Sequence, residues 1–396
     1  MNFKQPARAL EAEIAQHRHW LHRHAELSFQ EAETTQYLIA ELEKLGIPVT
    51  AFSDYHGCIG HIKGAKPGKT VLLRADIDAL PTVENSGVDY ASEHPGVMHA
   101  CGHDCHTAML LGAAKLLKNA ESELCGNVEL LFQSAEEAFT GSHYYMDKGY
   151  LNGVDAAYGM HVWPGIPEGS IDATNGRRMA SCDNFVLTVH GISAHGSTPQ
   201  YSKDAIVAAS SIIMNLQTLV SRFNDPRNPL VITVGTIKAG TQFNIITDTA
   251  VMEGTIRTFD QGIRKTLEPA MCKLVTETAE ALGCTAELEY HWLEEPVINA
   301  YPELTEIARS AAAKVVGEGG LVETPSGMGS EDFGYIMDRI PSVFAFMGVE
   351  NQEYGATWSL HSDKFRVSDT ALPIGAAQYA QFACDYLEHT AKEGAQ

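Results

Sequence analysis

The chain has 396 residues, 44% of them hydrophobic and 20% charged, so a sizeable core is within reach and the composition is that of an ordinary soluble globular protein. Its 28 basic and 50 acidic residues give a formal net charge of -22, which speaks against nucleic acid or an anionic membrane surface as partner. At this length single hydrophobic cores have usually stopped growing, and two domains are expected.

The first ten residues hold Lys4 and Arg8 but no apolar run, so no signal peptide is expected there. No stretch approaches the roughly 18 uninterrupted apolar residues of a membrane span. Eight cysteines without short repeated spacings fit a reducing compartment, and a cytoplasmic location is expected.

Taken in chain order, residues 6–45 read as helical, with Leu10, Ile14, Leu21, Leu38, Leu42 and Leu45 facing inward until Gly46 and Pro48 end the pattern. Val71-Leu72-Leu73 is a short apolar run ending in Arg74-Ala75-Asp76-Ile77-Asp78. Two segments share that form: residues 128–132 run into Glu136-Glu137, and residues 156–160 run into His161. Between the first two, residues 107–119 predict a strong helix with Asp104 placed to cap it. Strands alternating with helices predict an α/β domain on a mixed, mostly parallel sheet with helices on both faces, whose ligands bind beyond the carboxyl ends of the strands.

A second unit follows Ser181. Strands at 185–190, 230–237, 250–259 and 285–292, with helices at 204–223 and 263–282, give a βαββαβ order that suggests an inserted ferredoxin-like α+β domain. The α/β pattern resumes with a helix at 302–316, a strand at 342–349 and a closing helix near 372–388. The expected division is therefore 1–182 with 296–396, interrupted by 183–295.

The densest polar cluster is Met98-His99-Ala100-Cys101-Gly102-His103-Asp104-Cys105-His106. Thiolate, imidazole and carboxylate are the side chains that bind borderline-soft divalent metals, and Gly102 lets Cys101 and His103 turn toward one centre. Glu136 and Glu137 are adjacent, so one can ligate metal while the other faces substrate as a general base. Asp76 and Asp78, two apart at a strand end, share a face. Three apolar strands and one helix start thus deliver metal-type ligands to one sheet edge, whereas His361 is unremarkable alone.

The segments RADIDALP (74–81), MHACGHDCHTAMLLGAA (98–114), FQSAEEAFTGSHYYMDKGYL (132–151), GMHVWPGIPEGSI (159–171), SAHGSTPQYSKDAI (193–206), MGSEDFGYI (328–336) and LHSDKF (360–365) resemble the M20 metallopeptidase family. Within it they are similar to the amidohydrolase branch of hippurate hydrolases, N-acyl-amino-acid deacylases and auxin-conjugate hydrolases. That resemblance implies two divalent ions (Mn, Zn, Co or Ni) held by Cys101, His103, Glu137, His161 and His361. It implies Glu136 as proton acceptor for a metal-bridging water, and Asp76, or Asp78 in its place, as the acid that orients a ligand. His195 matches a lid histidine that reaches a partner subunit's site and steadies the oxyanion, which implies a homodimer or higher homo-oligomer formed through the inserted domain, and Asn244 and Arg257 lie where the family recognises a substrate carboxylate. Asp104 as a cap and His106 as a structural residue are expected to stay outside the ligand set, and His22 and His24 to be helix-surface or packing residues. Ala25 stands where the family usually has proline. The implied reaction is hydrolysis of the amide of a small N-acyl amino acid. A narrow deacetylase of N-acetyl-diaminopimelate on the same site, and a non-catalytic metal-binding protein, are the alternatives.

Overall fold

The computed structural model describes residues 1–393, which form two compact units. The larger comprises residues 1–176, 298–325 and 335–393, and the smaller Arg177–Val297 with Ser326–Gly334. Residues 326–334 therefore pack with the smaller unit and not, as expected, with the larger. Their backbone decides this: Gly327 N–H donates to the Arg178 carbonyl (3.0 Å) and Ala180 N–H to that of Gly329 (2.8 Å).

The larger unit is built on a seven-stranded sheet in the order Val49–Ala51, Gly57–Lys63, Cys125–Gln133, Lys66–Asp76, Ala156–Pro167, Ser342–Glu350 and Ile171–Asp172. The four strands from Cys125–Gln133 to Ser342–Glu350 run parallel, and the outer pairings are antiparallel. Residues 71–76 are all buried, as a strand covered on both faces must be, which explains the unbroken apolar run in the sequence. Val71, Leu73 and Ala75 alternate into one core with Met109 and Ala113 of the His103–Asn119 helix and Tyr379 and Phe382 of the last helix.

The N-terminal helical reading is corrected to three helices, Lys4–Arg8, Glu11–Arg23 and Ala32–Lys44. Ile14, Leu21, Leu38 and Leu42 are buried as expected. The break between the second and third is made by tertiary contact: Ala79 N–H donates to the Glu26 carbonyl at 2.8 Å, and Phe29 takes a left-handed φ of 65°. The Ala156–Pro167 strand also continues past His161, because Ser342–Glu350 pairs along it as far as Pro167. The parallel register still sets His161 level with Asp76, since each lies two residues beyond the Gly159–Arg74 pair.

In the smaller unit an antiparallel sheet runs Leu230–Ala239, Thr249–Thr258, Cys182–His190, Thr285–Glu294. With helices Ala205–Thr218 and Gln261–Ala281 this is the ferredoxin-like order. Phe185, Leu187 and Val189 alternate toward Ala208, Ile212, Leu216, Leu267, Met271 and Val275 of the two helices. Both helices start on true caps: Asp204 accepts from Ile206 and Val207 N–H, and Asp260 from Ile263 N–H. The segment Ala205–Phe223 is long and apolar enough to cross a membrane by composition (mean hydropathy 1.3), yet its Ala208, Ile212 and Leu216 stripe is core.

Candidate metal centre

Cys101, His103, Glu136, Glu137, His161 and His361 all belong to the larger unit, and their donor atoms converge. Three groups have donors within 4.8 Å of one another: Cys101 with His103 and His161, Cys101 with Glu137 and His361, and His103 with Glu136 and Glu137. Cys101 Sγ lies 3.4 Å from His161 Nε2, and His361 Nε2 lies 3.4 Å from Glu137 Oε1. His103 Nε2 is 3.8 Å from Glu136 Oε2 and 4.0 Å from Glu137 Oε1. Bonds of about 2.0–2.3 Å to one ion need donors separated by roughly 3–4 Å, so these spacings suit divalent ions. Cys101 stands in two of the groups, which lets one sulfur serve two ions.

The hydrogen bonding fits the same use. His103 Nε2 and Glu137 Oε1 are buried without a hydrogen-bond partner, an arrangement that is costly unless a cation completes it. His161 Nδ1–H donates to the Val162 carbonyl at 2.6 Å, which leaves Nε2 with its lone pair toward Cys101. Burial and the neighbouring His106 hold the His161 ring well below its ordinary pKa, hence neutral. Burial would likewise keep His103 neutral, but Asp76, Asp78 and Glu137 outweigh it and raise the ring to about 10. Burial, with Glu137 and Glu136 nearby, pushes the Cys101 thiol well up. Without a cation, then, the site holds protons that a divalent ion would displace.

Local backbone shape aims these groups. Gly102, at the N-cap of the His103–Asn119 helix, has φ 90°, and a Cβ there would lie 2.5 Å from Val162 Cγ2. Only glycine fits, so its role is a left-handed cap and not merely a flexible spacer. His361 also has a left-handed φ of 63°, and its N–H donates to the Ala100 carbonyl (2.8 Å), tying it to the Cys101 loop.

The two aspartates divide their work. Asp78 meets His103 Nδ1 through its carbonyl (2.9 Å) and Oδ1 (3.2 Å), while its Oδ2 accepts from Ser28 Oγ–H (2.7 Å) and Glu137 N–H (2.9 Å). Asp76 accepts from Arg74 Nη1 (2.7 Å) and His106 Nδ1 (2.5 Å) and approaches His103 Nε2 at 3.8 Å. The acid that orients a candidate ligand ring from behind is therefore Asp78, and the assignment to Asp76 is corrected. The strand ends at Asp76, so Asp78 is free of the pleat that a same-face reading assumes. Burial raises Asp76, but His103, His106 and Arg74 together hold it well below the usual carboxylate range. His106 Nε2 accepts from Val162 N–H (2.9 Å), so both its nitrogens are engaged and it offers no ligand atom.

Asp104 is not a cap. It is buried in the first helical turn, where it accepts from Arg18 Nε (3.0 Å) and His22 Nδ1 (2.8 Å). His22 is thus a buried ion-pair member, whereas His24 stacks on Trp20 at 4.1 Å. Arg18 and Arg74 escape a sequence reading because a buried arginine carries no periodic signature; only the proximity of Arg74 to Asp76 hints at it.

His195, Asn244 and Arg257 belong to the smaller unit. His195 pairs with Ile245 in a two-stranded ladder, and Gly196 N–H donates to the Asn244 carbonyl (2.8 Å), so His195 and Asn244 are neighbours. Ser197 N–H donates to His195 Nδ1 at 3.1 Å and Ser197 Oγ lies 2.7 Å from the same nitrogen, so Nδ1 is the acceptor and the exposed Nε2 carries the ring's N–H. Arg257 lies on the Thr249–Thr258 strand and donates to Ser330 Oγ (2.7 Å).

Residues 72–385 match the model of Peptidase family M20/M25/M40. An N-acetyl-L-cysteine deacetylase of Bacillus subtilis is 38% identical, covering 92% of this chain and 85% of its own. An IAA-amino acid hydrolase (ILR1-like 4) of Arabidopsis thaliana is 36% identical over 93% and 84%. Among solved structures, a dinuclear metal binding peptidase from M20 family of Bacillus subtilis superposes with a TM-score of 0.84 at 35% identity, covering 96% of this chain and 99% of that one. The chain belongs to peptidase family M20/M25/M40 and is a hydrolase of that family.

Proposed function

We propose that the protein hydrolyses the amide bond of N-acyl amino acids with two divalent metal ions (Mn, Zn, Co or Ni) held by Cys101, His103, Glu137, His161 and His361. The observation that carries this reading is the pair of donor groups sharing Cys101, with Glu136 beside them and next to Glu137. Bound divalent ions supply Lewis acidity, which polarises a carbonyl and makes a water acidic near neutral pH. Glu136 is the proton acceptor, and it returns that proton to the leaving amine nitrogen. His195 Nε2–H is a donor suited to a developing oxyanion, and such preorganised donors are worth about 3–4 kcal/mol. Asn244 and Arg257 are assigned to the substrate carboxylate. The substrate class is supported by the relatives, whose names cite N-acetyl-L-cysteine and IAA-amino acid conjugates.

The protein is further read as a homodimer formed through the smaller unit. The outer face of its Ala205–Thr218 helix leaves Val207 and Met214, two turns apart, 52% and 70% exposed, an apolar pair that a second copy could cover. Eight free cysteines support a reducing, cytoplasmic setting.

The test is amine release from N-acetyl-cysteine, N-benzoyl-glycine and indole-acetyl amino acids with each of the four metals, for wild type and Glu136→Gln. The variant should keep its metal content and lose at least about 100-fold in turnover. Metal-loaded wild type that releases no amine from any of them would refute the reading.

A further inference from the structure

Glu31 is fully buried 104 residues from the segment it serves, and its Oε1 accepts the Ala135 N–H at 2.8 Å. Ala135 is itself buried and holds a left-handed φ of 58°, an uncommon conformation for a residue with a Cβ, immediately before Glu136 and Glu137. Such a turn persists only where its surroundings over-determine it. Here three contacts do so: Glu31 takes the Ala135 N–H, Gly141 N–H donates to the Ala135 carbonyl (3.2 Å), and Asp78 takes the Glu137 N–H (2.9 Å). A Cβ on Gly141 would lie 2.0 Å from the Ser134 carbonyl oxygen, so that side of the turn is equally closed.

Glu31 occupies the N-cap position of the Ala32–Lys44 helix, yet its side chain does not cap it. That service comes from Glu26, whose carboxylate accepts from Glu33 N–H (3.1 Å) and Thr34 N–H (2.8 Å). With the helix end satisfied by another acid, Glu31 is free to reach Ala135, and its second oxygen, Oε2, is buried with no hydrogen-bond partner. A helix cap would need no such burial.

We propose that Glu31 is a positioning residue of the metal centre, holding through the Ala135 N–H the left-handed turn from which Glu136 and Glu137 project. The proposal rests on the reading of Glu136 as proton acceptor. Both glutamates follow directly on the turn and both carboxylates approach His103 Nε2, at 3.8 and 4.0 Å, so a turn that relaxes displaces the proton acceptor and a candidate ligand together. Burial, with Asp78 as neighbour, pushes the Glu31 acid up to about 8, so a neutral glutamine resembles its neutral-pH form.

Glu31→Gln keeps the acceptor, whereas Glu31→Met fills similar volume without one. Full-length wild type, both variants and Glu136→Gln are compared in two ways: kcat and KM for N-acyl amino acids at saturating Mn, and amide hydrogen exchange of residues 134–137 in metal-free protein. Glu31→Met should lose kcat about 10- to 100-fold while KM stays within about threefold, and its exchange should quicken by about tenfold. Glu31→Gln should stay within about twofold of wild type in both. Glu31→Met that keeps wild-type kcat and protection, or Glu31→Gln as impaired as Glu31→Met, overturns the proposal. If Glu136→Gln stays active the proton-acceptor reading fails, and the exchange arm still judges Glu31 on its own.

Discussion

The buried ion pair at Asp104, the residue after His103, offers a test whose size follows from its geometry. Arg18 and Asp104 are each 1% exposed, with Nε and Oδ2 3.0 Å apart. At an effective dielectric near 20 their attraction is about 5 kcal/mol, and removing one partner of such a pair typically costs about 3–5 kcal/mol because the other charge stays buried. Arg18→Met should therefore lower the unfolding midpoint by about 6–15 °C in a unit of this size. The double variant Arg18→Met/Asp104→Leu should recover part of that loss, since neither charge of the pair stays buried without the other, while His22 keeps Glu84 as its partner and the half-exposed Asp369 turns to solvent. Thermal unfolding of Arg18→Met, Asp104→Leu and the double variant against wild type is the assay. A double variant that loses the sum of the two single losses would refute this account of the pair. The pH dependence has two signs. Burial raises Asp104, but Arg18 and His22 hold it well below its ordinary value, so its contribution is present above the ordinary carboxylate range and is lost as pH falls through the depressed value. Burial lowers His22, but Asp104 and Glu84 raise it overall, so its contribution is full below about 6.5 and is lost as pH rises through the higher folded value.

Other expectations are equally concrete. Glu31 has a folded value raised from 4.5 to about 8, so wild type loses stability as pH rises through that window. Glu31→Gln should gain on wild type by about 1.4 kcal/mol per pH unit between about pH 5 and 8, read from urea unfolding; parallel curves would count against the buried acid. Asp78→Asn, which disturbs the contacts to His103 Nδ1 and Glu137 N–H, should weaken metal binding about tenfold, measured as retained metal after dialysis. Metal loading should displace one proton each from Cys101 and His103, so affinity should rise about 100-fold per pH unit near neutrality. A slope of one decade or less in a competition titration would mean that one of them is not protonated beforehand.

Much is legible in the sequence alone. Apolar runs at 71–73 and 128–132 mark strands buried on both faces, the period of 107–119 marks a core helix, and the βαββαβ order marks the smaller unit, because such patterns are set by neighbours a few residues away. The concentration of Cys101, His103, Glu136 and Glu137 was visible for the same reason: chemistry-bearing residues stand side by side in the chain. Other features follow from contacts across long separations, which leave no local period. Asp76 and Asp78 look alike in sequence and part company only because Arg74 and His106 claim one while His103, Ser28 and Glu137 claim the other. Asp104 fits a cap by position and became an ion-pair partner because Arg18, 86 residues earlier, is buried against it. Glu31 carries no motif at all; its place beneath the Glu136-Glu137 turn exists only once the helix it begins has packed in the fold, where a buried N–H must find an acceptor.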